Sequence, residues 1–522
     1  MFGKNRTRGK SDFATLEPSP FSPAGETPAP DRWWTTFGDP NLDASIERAL
    51  GQNFQLAAAL QRLVAARAVV RREASDLFPD IDGVADIGST FGPGNDPTNY
   101  TLGFNASYQV DLWGQIQSRV DAEAFRAHAT AADYQVVALT LASEIARTWF
   151  SLIEAHAQMK LLEEQIKTNR TGLELQESRF GLGLIRSPDV LRQRQLVEST
   201  REQAVVVRSS IEVLEHRLAL LLGTIPQDAT FEPGDVLPEL PPMPATGLPS
   251  ELLKRRPDVR RDYLSFQAAD RDLASAITAQ YPRLNLTGSL VNSADAPENL
   301  FRDWFLGIGA QLIAPLIDGG QRRAEVDRTS AVLRERFNEY GQTMLIAFAE
   351  VEDALALERY QLERIERLEV QSELAVQAFE QLRGQYLIGD ADYLDLLSAI
   401  TAQQRLQRDT LTARLDLLLI RVTLYSALAG GFESNGLMLQ SDPIMLEDVP
   451  DPMTDDSTLE MDEPGNQTER LKVEEVSSGQ TSGAERETLD SLRLDRDSLR
   501  LDGEQELDRF LNQPENAQDG DN

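Results

Sequence analysis

The sequence predicts an internally duplicated α + β chain in which short strand pairs alternate with very long helices. Three observations carry that expectation. First, Leu77-Phe78-Pro79-Asp80-Ile81 recurs as Gln280-Tyr281-Pro282-Arg283-Leu284 at an offset of 203, and Phe180-Gly181-Leu182-Gly183 recurs as Tyr386-Leu387-Ile388-Gly389 at an offset of 206. At the second offset Asp189 meets Asp395 and Leu191 meets Leu397. A near-constant offset means that one structural unit is used twice. Second, Thr101 to Leu112 alternates strictly: Leu102, Phe104, Ala106, Tyr108, Val110 and Leu112 against Thr101, Gly103, Asn105, Ser107, Gln109 and Asp111. Period two over such a run is the mark of a strand with unlike faces. Third, Gly114–Ile185 and Gln321–Ile388 contain no proline and few glycines. At 1.5 Å per residue each would span about 100 Å, far beyond the helices of a globular domain.

Residues 1–40 are Pro-rich and are expected to be extended. Residues 41–245 form the first repeat, in the order helix, two strands, long helix, return helix. Residues 246–434 repeat that order. Its strands show the alternation more weakly, at Leu284, Leu286, Gly288 and Leu290 and again at Leu306, Ile308, Ala310 and Leu312. The length of Thr101–Leu112 suits a tilted membrane-crossing strand with one face to lipid and one to water. Leu102, Phe104, Tyr108 and Val110 then face lipid. A half-buried soluble sheet gives the same alternation.

Between Leu139 and Leu162 the apolar positions form two seams. One holds Leu139, Ala142, Ala146, Trp149 and Ile153; the other holds Leu141, Ile145, Leu152, Ala155, Met159 and Leu162. One seam makes a coiled-coil pair. Two let a helix touch a neighbour on each side, as the wall of a tube requires, although a wide apolar face in a bundle reads alike. The remaining face carries Glu154, Gln158, Glu164 and Lys167. Each long helix ends at a marked turn. Gly181 and Gly183 precede Ser187-Pro188-Asp189, with serine as expected N-cap, proline at the first helical position and an acid in the first turn. Gly389 precedes Asp390, a candidate N-cap. Glycine supplies the left-handed conformation that stops a helix.

Residues 435–522 hold 24 acidic and 7 basic side chains, and Phe510 is their only aromatic residue. Such a segment cannot bury enough apolar surface to offset its ordering entropy, so it is expected to be a disordered acidic tail. The whole chain has 51 basic and 84 acidic residues, a net charge of −33. Nucleic-acid binding needs the opposite sign. The absence of cysteine excludes disulfides, thiolate metal sites and thiol nucleophiles. His128, His156 and His216 have no partner at ligand spacing, so no metal is expected. Gly181-Leu182-Gly183 follows a helix, so it is no dinucleotide loop. No nucleophile–base set stands out, and neither an enzyme nor a cofactor is expected. No run of about 18 apolar residues predicts a transmembrane helix. Lys4, Arg6, Arg8 and Lys10 resemble the start of a signal peptide, but Ser11 to Gly25 has no apolar core.

An ordered set of motifs then makes a family recognisable. Leu253-Lys254-Arg255-Arg256-Pro257-Asp258-Val259-Arg260 resembles the "RRPDVR" hallmark of the OprM/NodT branch of TolC-type outer-membrane factors. Trp33-Trp34 with Phe37-Gly38-Asp39-Pro40, Asp111-Leu112-Trp113-Gly114, Pro315-Leu316-Ile317-Asp318-Gly319-Gly320, Glu350-Val351-Glu352-Asp353-Ala354, Tyr393-Leu394-Asp395-Leu396-Leu397 and the run Tyr425 to Gly431 match collinearly. The resemblance implies an outer-membrane efflux channel with a periplasmic extension. It implies a homotrimer in which each subunit gives four strands to a twelve-stranded β-barrel in outer-membrane lipid. The barrel runs into a long periplasmic α-helical barrel, girdled by an equatorial region at about 225–250 and after 432. It also implies two protein partners: an inner-membrane pump, and a periplasmic adaptor that meets the helix-hairpin tips at Gly181, Gly183, Ser187, Pro188, Gly389 and Asp390. The chain departs from the family in showing neither a signal peptide nor a lipid-modified cysteine, which leaves a different start codon or anchoring by the barrel alone. At the tip the family's "LDAQR" reads Leu397-Ser398-Ala399-Ile400-Thr401. Asp395 aligns with the first acid of the family's ring, Asp392 lies one turn before it, and Asp189 holds the matching place in the first repeat. These three are the gate candidates. The rival expectation is a soluble or periplasmic coiled-coil scaffold.

Overall fold

The structure, a computed structural model, describes residues 21–22, 25, 27–89, 98–228, 231–247 and 249–428. The expected acidic tail lies outside the described residues. The N-terminal segment enters as a two-residue strand β1 (Thr27–Pro28), then a 3-10 turn at Trp33–Phe37, and two helices, α1 (Pro40–Gln52) and α2 (Phe54–Ser75). The first strand pair is β2 (Asp80–Ser89) and β3 (Thr98–Val110). It leads into α3 (Gln115–Gly181) and the return helix α4 (Ser187–Leu221). An equatorial stretch carries β4 (Pro244–Ala245). The second unit then runs α5 (Pro249–Arg255), α6 (Pro257–Thr278), β5 (Arg283–Ala294), β6 (Phe305–Ile313), α7 (Gln321–Ile388) and α8 (Tyr393–Leu428). The long helices have 67 and 68 residues and the return helices 35 and 36.

The four long strands form one antiparallel sheet in the order β2-β3-β5-β6, leaving β2 and β6 as open edges. The helices follow the same lateral order. Next to the sheet, α3 packs on α2 and α6, and α6 packs on α7. Further along, α3 packs on α4 and α8, and α8 packs on α7. The chain is therefore laid out laterally, with β2, α2 and α4 on one side and β6 and α7 on the other.

The main core sits midway along α3. Ala142, Ile145, Ala146, Trp149, Phe150 and Ile153 meet Val422 and Tyr425 of α8, and the N-terminal Trp33, Trp34 and Phe37 close over them. Trp33 stacks on Tyr425 at 5.8 Å, and Phe37 packs on Phe150 at 4.9 Å. Asp39 caps α1 through the backbone amides of Asn41 and Leu42 and accepts the Trp149 indole hydrogen at 2.6 Å. The expectation that residues 1–40 are extended fails for Trp33–Phe37. Burying two tryptophans there overrides the proline content. An 18-residue window of α3 reaches a mean hydropathy of 1.4, apolar enough to cross a membrane, but 61% of it is buried in the protomer as core.

The hallmark arginine explains itself. Arg256, nearly buried, pairs with Asp258 at 2.6 Å and with Glu350 of α7 at 2.7 Å, and donates to the Ala427 carbonyl near the end of α8. One side chain thus ties α6, α7 and α8. Burial alone would raise the Asp258 carboxyl, but hydrogen bonds and charge from Arg256 hold it below its ordinary value. A second tie lies at the equator. Arg421 and Glu358 form an ion pair 2% and 1% exposed, and the same guanidinium donates to the carbonyls of Pro241 and Pro242. A buried pair of this kind needs its remaining donors satisfied, and the proline carbonyls do that.

Candidate functional site

The sheet has two unlike faces, and the register fixes which residues share each. Ile81, Ala106, Gly288 and Ile308 lie in one cross-strand row, and Gly83, Phe104, Leu290 and Leu306 in the next. Leu102, Tyr108 and Val110 stand on the same face as Phe104, beside Asn292, Leu286 and Leu284. This apolar face stays exposed in the protomer: Phe104 is 55% and Ile308 85% accessible. The opposite face carries rows of Asp80, Ser107, Thr287 and Gly309 and of Asp82, Asn105, Ser289 and Gly307. It is concave and lines an open cavity of about 490 Å³. Aromatic side chains stand at both ends of the sheet. Trp113 packs on Tyr281 at 5.3 Å and donates to the Pro282 carbonyl, while Phe301 and Trp304 are exposed in the far loop.

The sheet passes into the helices by the same device in both repeats. Gly114 and Gly320 precede the long helices with φ of 70° and 90°, values that a side chain would strain. Asp111 accepts from the amides of Ile116 and Gln117, and Asp318 from those of Gly320 and Arg322. A carboxylate thus satisfies first-turn donors and meets the positive end of the helix dipole.

Beyond the core, α3 grips α4 and α8 through buried amides. Gln158 donates to the Arg408 carbonyl, Gln165 to the Gln404 carbonyl, and Asn169 exchanges hydrogen bonds with Gln404 at 2.9 and 3.2 Å. Asn169 also donates to Thr200, and Gln193 donates back to the Asn169 carbonyl. Gln158, expected on the polar outer face, is buried, because this seam faces α8 rather than water.

At the tip, Tyr386 donates to Gln176 at 2.9 Å and Tyr393 donates to Gln193. The two tyrosines pack at 5.7 Å, with the Arg179 guanidinium over Tyr386. Burial, with Tyr386 and Asp189 adding to it, pushes the Tyr393 hydroxyl well up, so it stays a donor. Gly183 and Gly389 take φ of 73° and 86°, as their place after a helix requires. Two cap expectations need correction. The first return helix starts at Ser187, so Arg186 is its N-cap and makes no side-chain cap bond; Pro188 sits at its second position. The second starts at Tyr393, and the amide of Asp390 closes the preceding turn on the Gln385 carbonyl instead. The three gate candidates separate. Asp392 and Asp395 are exposed, whereas Asp189 is buried and paired with Arg192 at 3.2 Å. Gly181, Ser187 and Pro188 are exposed around it. Sequence reasoning missed Tyr386, Gln176, Gln193 and the Asn169–Gln404 pair. Their signal was a run of amides spaced by seven and four, at positions 158, 165, 169 and 176.

A protomer with a two-faced sheet that runs directly into helices of about 100 Å belongs to the class of outer-membrane ducts. The profile of the outer membrane efflux protein family matches residues 45–224 and 248–430, and the chain belongs to that family. It is 30% identical over 439 residues to the pyoverdine export outer membrane protein OpmQ of Pseudomonas aeruginosa, covering 79% of this chain and 90% of the relative. It is 26% identical over 408 residues to the cation efflux system protein CusC of Escherichia coli, covering 76% and 88%. Among solved structures, the outer-membrane channel OprN superposes with a TM-score of 0.75 at 27% identity, covering 80% of this chain and 98% of that one. The open MtrE channel of Neisseria gonorrhoeae superposes with a TM-score of 0.72 at 25% identity, covering 79% and 94%. The protein is an outer-membrane efflux channel with a periplasmic extension. The coiled-coil scaffold is thereby overturned: it has no use for the four-stranded sheet, and the relatives are channels.

Proposed function

We propose that three copies close into a passive exit duct of a tripartite efflux system. Their sheets form a twelve-stranded barrel, with Leu102, Phe104, Tyr108 and Val110 toward lipid and the concave polar face toward the lumen. The long helices form the periplasmic tunnel. An inner-membrane pump supplies the energy, and a periplasmic adaptor docks on the hairpin tips at Gly181, Gly183, Ser187, Pro188, Gly389 and Asp390. Small molecules are the cargo. The relatives are named for cargoes as unlike as pyoverdine, cations and toluene, so family membership alone selects none.

The observation that carries this reading is the pair of unlike open edges. An unpaired strand edge exposes a row of unmet hydrogen-bonding groups, which barrel closure removes. Pairing edge β6 of one copy with edge β2 of the next is a head-to-tail contact, and such contacts between three copies close into a ring without leaving an edge. The natural chain has no cysteine, so a cysteine in each edge strand reports on that contact alone. Oxidation of the full-length protein in membranes should give covalent trimers on a non-reducing gel. Covalent dimers that never extend to trimers refute the ring. Phe104→Arg should also cost about 2–4 kcal/mol of barrel stability if the side chain sits at mid-bilayer.

At the tip, exposed Asp395 and Asp392 from three copies gather near one axis. Like charges that close repel unless hydrated or bridged by a cation. Asp189 belongs to this set by repeat position, but its pairing with Arg192 leaves the ring to the second repeat. Asp395→Ala should reduce cation selectivity and trivalent-cation block in planar bilayers. Unchanged values leave Asp395 as a helix-start residue.

A further inference from the structure

The cavity on the concave face is built unlike the rest of the sheet. Asp82 lies at its β2 end, Asn105, Ser107, Thr287 and Ser289 cross its middle, and Gly307 with Gly309 line its β6 end. In a strand, glycine gives up packing and commonly marks close approach by another group. Here the approach is visible. A Cβ on Gly307 would fall 2.7 Å from the Ser289 hydroxyl, and one on Gly309 2.7 Å from the Thr287 hydroxyl. The hydroxyls lean over bare backbone, so the β6 end is a flat floor rimmed by oxygen.

Those polar groups are unspent. Thr101 and Ser293, higher on the same face, hydrogen-bond each other at 3.0 Å. Asn105, Ser107, Thr287 and Ser289 make no side-chain hydrogen bond to another described residue. The charge is one-sided as well. Asp80, Asp82 and Asp86 all stand on this face of β2, and the only basic side chain among the described strand residues is Arg283, at the helix end of β5. Four strands spaced about 4.8 Å apart make the cavity about 14 Å across.

Resting on the duct reading above, we infer that this cavity is a lumenal subsite for hydroxylated organic cations of the amino-sugar kind. An ammonium group pairs with Asp82. Ring hydroxyls exchange hydrogen bonds with Asn105, Ser107, Thr287 and Ser289, and the ring lies on the Gly307–Gly309 floor. A purely hydrophobic cation leaves the hydroxyls unmet, and a neutral sugar leaves Asp82 unpaired. The site is open, so it holds its ligand briefly, which is what passage requires: favourable enough to enter and weak enough to leave. Three such subsites would ring the lumen.

The test uses the full-length protein in planar bilayers, with probes added on the barrel side. The probes are kanamycin (charge and hydroxyls), maltotriose (hydroxyls alone) and tetraethylammonium (charge alone). Kanamycin should block at a half-blocking concentration about tenfold below either control. Asp82→Asn should raise that concentration about threefold to fivefold, the scale of a solvated ion pair. Gly307→Val, which covers the floor, should remove the kanamycin advantage. Both positions are exposed, and probe-free conductance reports whether each variant still assembles. Equal block by all three probes overturns the subsite, and so does unchanged kanamycin block in both variants. A wild-type protein with no conductance even without probe refutes the duct reading itself.

Discussion

The central and tip-proximal stretches of α3 hold their neighbours by different chemistry. From Ala138 to Ile153 the contacts are apolar and interlocked with Trp33, Trp34, Phe37 and Tyr425. From Gln158 to Gln176 they are, apart from the buried Leu162, amides and hydroxyls that meet α4, α7 and α8. Close-packed apolar side chains fix one arrangement, because any shift opens a cavity. An amide that slides along a helix finds another carbonyl a turn away, so a polar seam keeps its hydrogen bonds across more than one register. The fixed stretch lies midway along α3, and the exchangeable stretch adjoins the hairpin turns, where the proposed gate would have to move.

Trp33→Ala should break the fixed stretch most severely. Removing a fully buried indole from the stack on Tyr425 should cost about 3–5 kcal/mol, read as a lower urea midpoint in detergent. Arg421→Met should follow closely, at roughly 3–5 kcal/mol, because it strands Glu358 as a buried charge; adding Glu358→Leu should recover most of the loss. In the exchangeable stretch, Asn169→Ala should cost about 1–3 kcal/mol by leaving Gln404 unmet, whereas the Asn169→Leu, Gln404→Leu pair should be near neutral while lowering the frequency of channel opening. If the leucine pair opens as often as wild type, the polar seam has no bearing on movement. Tyr393→Phe should cost about 1 kcal/mol and raise open probability, since it removes one donor to Gln193. The last effect concerns Asp258 and is read against pH. Its carboxyl is held below the ordinary value, so the stability it lends is complete above the ordinary carboxylate range and is lost as pH falls through the lowered value. Asp258→Asn should therefore flatten the acid limb of the urea-midpoint profile, and an unchanged limb would detach Asp258 from acid unfolding.

The sequence reveals the two stretches unequally. Apolar seams on α3 are legible because burial of Ala142, Ile145, Trp149 and Ile153 follows from helical periodicity, and the bounds of α7 match the proline-free stretch Gln321–Ile388. The strand is legible to within three residues, as Thr98–Val110 against Thr101–Leu112. The amide seam is not legible, because a buried Gln158 and an exposed glutamine have the same local pattern and only a partner 250 residues away separates them. The same holds for Trp33 and Trp34, whose partners lie on α3 and α8, and for Asp189, whose burial depends on the packing of the hairpin. Repeat position alone equates Asp189 with Asp395, and tertiary packing divides them. The caps at Ser187 and Asp390 fail by one and two residues, the range over which helix ends vary.

The matched lengths of the two long helices constrain how such a chain can change. One residue inserted into α3 rotates everything beyond it by about 100° and advances it by about 1.5 Å. That turns Asn169 away from Gln404 and carries Gly183 off the level of Gly389. Tolerable insertions come only in steps that return the same face, about seven or eleven residues. They must occur in α3 and α7 together, and again in α4 and α8. The duct can therefore lengthen only in whole rungs, added to both copies of the repeat at once.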